Sequence, residues 1–157
     1  MDSTDQKILE TLQRQGRMTN KELAGVCDLA PSSMLDRVRR LEERGVIKGY
    51  RATLDPKKMG YEVQAVLMIN LDRHQAGPID VFEERICAIP EVTACHHITG
   101  RYDYVVNITA RDIDHLGELV KHTLGGIAGL EKQETFLVLS TVKEDEGYAI
   151  NGAAKKA

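Results

Sequence analysis

Hydrophobic positions in the first fifty residues recur at helical spacing. Ile8, Leu9 and Leu12 share one face of a first helix, with Asp2 and Ser3 as candidate caps. Gly16 is expected to stop that helix, because glycine takes the left-handed conformation that ends helices. Thr19 or Asn20 caps a second, short helix reaching about Val26 or Cys27. Glu22 stands three residues after Thr19, the spacing of a capping box, and Leu23 and Val26 face inward. Cys27-Asp28-Leu29-Ala30 reads as a turn, and Pro31 opens a third helix at the position where its missing N–H costs nothing. Met34, Leu35, Val38 and Leu41 form the buried stripe of this helix, which Gly45 ends. Ser32, Ser33, Asp36, Arg37 and Arg40 lie off the stripe, towards solvent.

After Tyr50 the period changes from helical to alternating. Residues 50–54 read as a strand, followed by a linker at Asp55-Pro56-Lys57-Lys58-Met59-Gly60. Strands are expected over 63–71, 92–99, 104–110 and 130–142, the last long enough to hold a bulge or bend. Pro78 opens a helix running through Val81, Phe82, Arg85 and Ile86 to Ile89. A further helix starts at Asp112 or Asp114, turns Leu116, Leu119, Val120 and Leu124 inward, and ends at Gly125-Gly126. The order βαββαβ is the ferredoxin-like motif. The fold class is therefore α+β: a three-helix N-terminal domain (1–52), a linker (53–62), the βαββαβ domain (63–145) and a C-terminal tail (146–157), frayed from 151. Two helices cover one face of the sheet. The other face carries apolar residues with nothing in the chain to cover them, which predicts a homodimer packed sheet to sheet.

Composition adds boundaries. The longest apolar run, Ala65 to Ile69, is far too short to span a bilayer, and the N-terminus lacks the charged-then-apolar order of a secretory signal. Cys27, Cys87 and Cys95 are odd in number and without CxxC spacing, which argues against a disulfide framework or zinc ribbon and suits a reducing cytoplasm. With two Phe, five Tyr and no Trp, no aromatic row is available to stack single-stranded nucleic acid.

The net charge of −3 hides an asymmetry: residues 1–52 carry +2 and residues 53–157 carry −5. Arg37, Arg39, Arg40, Arg44, Lys48 and Arg51 fall in one short block that can neutralise phosphates. Two short helices joined by a tight turn, the second basic on its outer face, follow helix-turn-helix logic. A small helical bundle with merely solvated arginines would give the same pattern.

An ordered series of short stretches separates these readings. They are Asp5-Gln-Lys-Ile8-Leu9, Gly16-Arg17, Asn20-Lys-Glu22-Leu23-Ala24, Leu29-Ala-Pro31-Ser32, Arg37-Val38-Arg39-Arg40-Leu41-Glu42 and Gly45-Val46-Ile47-Lys48-Gly49-Tyr50. Leu54-Asp55-Pro56, Gly60, Thr99-Gly100-Arg101-Tyr102-Asp103-Tyr104 and the run from Thr135 to Lys143 follow. Together they resemble the Lrp/AsnC family, the feast/famine regulators, over roughly residues 2–145. Two departures sit in the turn. Asp28 replaces the usual glycine and tolerates a left-handed backbone at small cost. Ala30 replaces the usual serine, removing a cap worth about 1 kcal/mol.

The resemblance implies a sequence-specific regulator of transcription bound to double-stranded DNA. As homodimers assembled into larger rings, it would place paired recognition helices in successive major grooves roughly 34 Å apart. Arg37 and Arg40 are the expected direct contacts, with Ser32 and Ser33 bonding to phosphates or bases. Asp36 either accepts from a cytosine amino group or repels phosphate, and Arg44, Lys48 and Arg51 meet backbone phosphates.

It also implies that Gly100-Arg101-Tyr102-Asp103, with residues of a neighbouring subunit, binds an amino-acid effector at an interface. Asp103 would accept from the ammonium, the loop amides or Arg101 would hold the carboxylate, and Thr99, Tyr102 and Thr135 would line the site. On pattern alone the same loop is a hairpin turn with solvated charges.

Other constellations weigh less. In a strand, His96 and His97 point to opposite faces, which leaves Cys95 and His97 as only two potential metal ligands. His115 and His122 are expected on a hydrated helix face, and Glu144-Asp145-Glu146 as a solvated patch. No metal or cofactor is expected. Siroheme decarboxylases resemble the same architecture, but the loop here reads as the regulator version, and no Ser/His/Asp order, GxGxxG or HExxH is present. An architectural DNA-compacting protein without effector would use the same DNA face.

Overall fold

The computed structural model describes residues 1–72 and 78–150. The chain divides into two compact units: Met1–Thr53 together with the segment that begins at Lys143, and Leu54–Val142. The frayed tail expected over 151–157 lies outside the described residues. No helix among them is long and apolar enough to cross a membrane.

The first unit is built on α1 (Ser3–Arg14), α2 (Asn20–Val26) and α3 (Pro31–Glu43). Asp2 and Asp5 form a capping box on α1, and Thr19 and Glu22 form one on α2. The Glu22 carboxyl is held below its ordinary range, first by the Thr19 backbone N–H and then by the Thr19 hydroxyl. The tight turn turns on Asp28, whose φ of 53° is left-handed. Ala30 caps α3 with no side-chain bond. Gly45, at φ 67°, closes α3: its N–H reaches the Glu42 carbonyl and the Val46 N–H reaches that of Leu41, a Schellman ending.

Ile8, Leu23, Ala24, Met34, Val38 and Leu41 form this unit's core. Three expectations change here. Gly16 does not adopt a left-handed backbone; α1 ends earlier, at Gln15, whose N–H bonds back to the Thr11 carbonyl. Val26 is exposed and Ala24 is buried beside Leu23; the two positions are 200° apart on the helix, so they cannot share the inward face. Leu35 is 52% exposed. It lies one residue, or 100°, round the helix from Met34, too far to share the stripe. With Leu12, Met18, Val38 and Tyr50 it lines an open groove of about 550 Å³.

The second unit runs β1 (Val63–Leu71), α4 (Pro78–Cys87), β2 (Val92–His97), β3 (Tyr104–Ala110), α5 (Ile113–Glu118) and β4 (Leu130–Leu137). A π-helical turn, Leu119–Leu124, extends α5. There the Val120 carbonyl accepts both the Gly125 N–H and the Gln133 side-chain amide, so the wider turn and β4 share one acceptor. The sheet order is β2-β3-β1-β4 with every neighbouring pair antiparallel, the ferredoxin-like arrangement.

Odd positions of β1 from Ala65 to Leu71 and even positions of β3 from Tyr104 to Ala110 are buried beneath Phe82, Ile86, Ile89, Leu116, Leu119 and Leu124. The opposite face presents Val66, Met68, Val105 and Phe136, the last 51% exposed. Two strand expectations are corrected. Residues 50–54 form no strand, and β4 stops at Leu137 with Leu139 and Val142 almost fully exposed. A strand exists only by hydrogen bonding to a neighbour: residues 50–54 have none among the described residues, and beyond Leu137 the last backbone bond to β1 is from the Val138 N–H to the Gln64 carbonyl at 2.9 Å.

Candidate nucleic-acid interface and effector loop

On α3, successive residues are 100° apart, so Met34, Val38 and Leu41 pack inward while Ser32, Ser33, Asp36 and Arg40 emerge together on the opposite side. All four are exposed, as are Arg44, Lys48 and Arg51 beyond the helix. Among the described residues Arg40, Arg44, Lys48 and Arg51 make no ion pair; the Arg40 Nε donates to the Asp36 carbonyl of its own helix at 3.3 Å.

The other two cations of the basic block are committed. Arg39 pairs with Glu43 at 2.9 Å, one turn along. Arg37, expected at the DNA, instead places one guanidinium nitrogen 2.8 Å from Asp2 and 2.7 Å from Asp5. Only a quarter of its side chain is exposed. Its position on α3 explains this: it stands at the border between the outer face and the buried stripe, where α1 crosses. Sequence position alone cannot separate it from Arg40. The guanidinium's proton affinity is raised by the two carboxylates, and Asp2 is held below the ordinary carboxylate range, first by the Asp5 N–H and then by Arg37. Tyr50, at the end of the block, donates to Glu42 at 3.0 Å; burial first, then that carboxylate, push its hydroxyl up to about 12.

The loop between β2 and β3 turns on Gly100, whose φ of 131° only glycine adopts comfortably. A Cβ there would meet nothing within 4 Å, so the requirement is conformational and not steric. Asp103 is woven into the end of β1: its N–H donates to the Ile69 carbonyl at 2.9 Å and to the Asn70 side chain at 3.2 Å. One carboxylate oxygen accepts from the Leu71 N–H at 3.0 Å. That carboxylate holds the loop as well as facing it.

Arg101 reaches across to Glu134 at 4.0 Å and lies over the Tyr102 ring at 5.4 Å. Lys132 pairs with Glu134 at 2.7 Å. The Glu134 carboxyl is held low, first by Lys132 and then by the Tyr102 hydroxyl, whose own proton Glu134 holds more tightly. Thr99 begins the loop and is exposed. Thr135 is not brought to this cluster: it pairs with Leu67, so its side chain lies on the helix-bearing face, opposite Glu134. Sequence reading missed Glu134 and Lys132. The available signal was their spacing of two in a strand, which puts opposite charges on one face.

The histidines also differ from expectation. His115 is mostly buried, accepting at Nδ1 from the Arg111 N–H and facing Glu91 at 3.7 Å; His122 remains at the surface. Among the described residues no group of three metal-ligating side chains converges.

Comparison with known proteins decides what this pairing of units is. The Lrp/AsnC ligand binding domain matches residues 64–148, and a winged helix-turn-helix DNA-binding domain matches residues 1–48. The chain belongs to the Lrp/AsnC family. The leucine-responsive regulatory protein of Haemophilus influenzae is 37% identical over 147 residues, 92% of this chain and 87% of that protein. The transcriptional regulatory protein DoeX of Halomonas elongata is 38% identical, over 91% of this chain and 90% of its own.

Among solved structures, a transcriptional regulator from Neisseria meningitidis in complex with L-methionine superposes with a TM-score of 0.88 at 32% identity, covering 92% of this chain and 93% of that one. An AsnC-family regulator from Agrobacterium tumefaciens reaches 0.89 at 25% identity, covering 96% and 98%. This Lrp/AsnC protein is accordingly a transcription regulator: a helix-turn-helix domain joined to a ligand-binding α+β domain.

Proposed function

We propose that this regulator binds double-stranded DNA in the cytoplasm as a homodimer or larger assembly, and that a free amino acid tunes that binding from a site at a subunit interface. α3 enters the major groove, with Ser32, Ser33, Asp36 and Arg40 towards base edges and phosphates, and with Arg44, Lys48 and Arg51 on the backbone. The work divides into DNA binding by residues 1–52, a linker at 53–62, and sensing and assembly by 63–145, with 146–157 as a C-terminal tail.

The uncovered apolar face of the sheet, with Val66, Met68, Val105 and Phe136, supports pairing between copies. The observation that carries the effector reading is the loop itself. Gly100-Arg101-Tyr102-Asp103 gathers both signs of charge around backbone held open by a glycine, the complement of a zwitterion. Arg101 offers the carboxylate partner. Asp103, whose carboxylate already accepts the Leu71 N–H beside the loop, receives the ammonium, and Tyr102 lines the site. Thr99, which begins the loop, also lines the site, and Thr135 would join it only through an adjoining subunit. The complex of the Neisseria relative with L-methionine favours an amino acid as the ligand class.

A thermal-shift screen against the twenty amino acids tests this. Ligand binding to the native state raises the melting temperature by mass action. The expected result is a shift with one or a few amino acids that is lost in Asp103→Asn, a variant that keeps an acceptor for Leu71. No shift with any of the twenty would overturn the amino-acid reading and favour an effector-free DNA-compacting role.

A further inference from the structure

We infer that Arg37 serves DNA binding as a positioning residue: it sets the attitude of α3 through Asp2 and Asp5 and does not touch DNA. The inference rests on the reading of α3 as the recognition helix.

The geometry is unusually complete for a surface ion pair. Asp2 and Asp5 each divide their two oxygens between two tasks. One oxygen of Asp2 accepts the Asp5 N–H at 2.8 Å, and one of Asp5 accepts the Asp2 N–H at 3.2 Å, which closes the capping box. The remaining oxygen of each accepts from the same Arg37 nitrogen. The start of α1 and the middle of α3 are therefore one hydrogen-bonded unit, and Asp5 within it is only 14% exposed.

Two consequences follow for DNA. The two charge-assisted bonds to one nitrogen hold the guanidinium against the start of α1, with only a quarter of the side chain exposed, so reaching out to a base or phosphate would mean breaking them. The cation also neutralises carboxylates that would otherwise stand beside the phosphate-facing surface of α3 and repel it. Ala30 gives α3 no side-chain cap, so the strut supplies a polar fixing that the start of the helix lacks. Residues 2 to 5, at the extreme start of the chain and remote from α3 in sequence, thereby become part of the DNA-reading apparatus.

The two roles predict opposite signs for Asp5→Asn. That change keeps a capping acceptor but removes one of the two charges that hold Arg37, the less exposed one. If Arg37 contacts DNA, freeing it and deleting an acidic group tightens binding. If Arg37 positions α3, binding weakens. The experiment is fluorescence anisotropy on a duplex selected from a random pool by the wild-type protein, repeated across a series of KCl concentrations, with circular dichroism to establish folding. Wild-type binding tests the recognition-helix reading by itself, before any variant is used.

The expected result is that Arg37→Gln and Asp5→Asn each weaken binding about three- to tenfold. Their salt slopes stay at the wild-type value, and Arg37→Lys recovers part of the loss. Arg44→Ala, as a phosphate contact, should flatten the slope by about 0.9. A similar flattening in Arg37→Gln, tighter binding by Asp5→Asn, or unchanged affinity in both would overturn the inference. If Arg37→Gln fails to fold, the sign of the Asp5→Asn effect decides alone.

Discussion

Gln13 and Tyr148, 135 positions apart in the chain, are joined through the two ends of one side-chain amide: the Gln13 Nε2 donates to the Tyr148 carbonyl at 3.0 Å, and the Tyr148 N–H donates to the Gln13 Oε1 at 2.6 Å. The amide mimics a strand neighbour and fastens the returning C-terminal segment to α1. Gly147 makes this possible. Its φ is 91°, and any Cβ there would fall on the Gln13 side chain. Gln13→Ala is expected to abolish hydrogen-exchange protection of the Tyr148 amide and to cost the DNA-binding unit about 1 kcal/mol in urea unfolding. Gln13→Glu should keep the protection in part, since a carboxylate still accepts that N–H. Undiminished protection in Gln13→Ala would mean that another group holds the segment.

The turn between α2 and α3 carries two correctable costs. Asp28 stands at φ 53°, where a side chain is tolerated and glycine is at ease. Asp28→Gly should be neutral or stabilising by up to about 1 kcal/mol, whereas Asp28→Val should destabilise by about 1–2 kcal/mol. Ala30→Ser supplies the missing cap and should raise stability by about 0.5–1 kcal/mol. Thermal denaturation of the three variants reads all of these; a stabilising Asp28→Val would contradict the assigned backbone.

Asp103 has a structural duty separate from any ligand. Removing its carboxylate strands the Leu71 N–H at the end of β1. Asp103→Ala should therefore cost about 1–3 kcal/mol of stability without ligand, while Asp103→Asn should cost less, since its amide oxygen still accepts. Chemical denaturation compares them. Equal losses in the two variants would show that charge, and not the acceptor, holds the loop.

Tyr104 gives the sensing unit an alkaline limit. Its hydroxyl donates to Glu83 at 2.7 Å, and its ring packs against Phe82 and His97, each 4.7 Å between centroids. Burial first, then Glu83, push its ionisation well above the usual tyrosine value of about 10. In the unfolded chain the phenol releases its proton near that value, while the folded chain retains it. Stability from this group is thus fully present below about pH 10 and falls as pH rises past it. Denaturant melts at rising alkaline pH should lose stability more steeply in wild type than in Tyr104→Phe. Parallel slopes would remove Tyr104 as the cause.

Local chemistry in the sequence determined most of the architecture. Thr19 with Glu22, Pro31 and Gly45 mark helix ends by interactions spanning a few residues, and the alternation from Ala65 to Leu71 specifies which side of a strand is buried whatever lies above it. The ordered stretches from Asp5 to Lys143 likewise identified the family. Tertiary structure decided what depends on a partner distant in the chain. It moved Leu35 to the surface, denied residues 50–54 and 138–142 a place in the sheet, and placed Glu134 beside Arg101 while turning Thr135 away. It also separated Arg37 from Arg40, two arginines one turn apart on one helix. A periodic pattern gives a side chain its direction from its own helix. Whether a guanidinium so directed is free for phosphate depends on which carboxylates another helix brings within 3 Å, and here Asp2 and Asp5 do so.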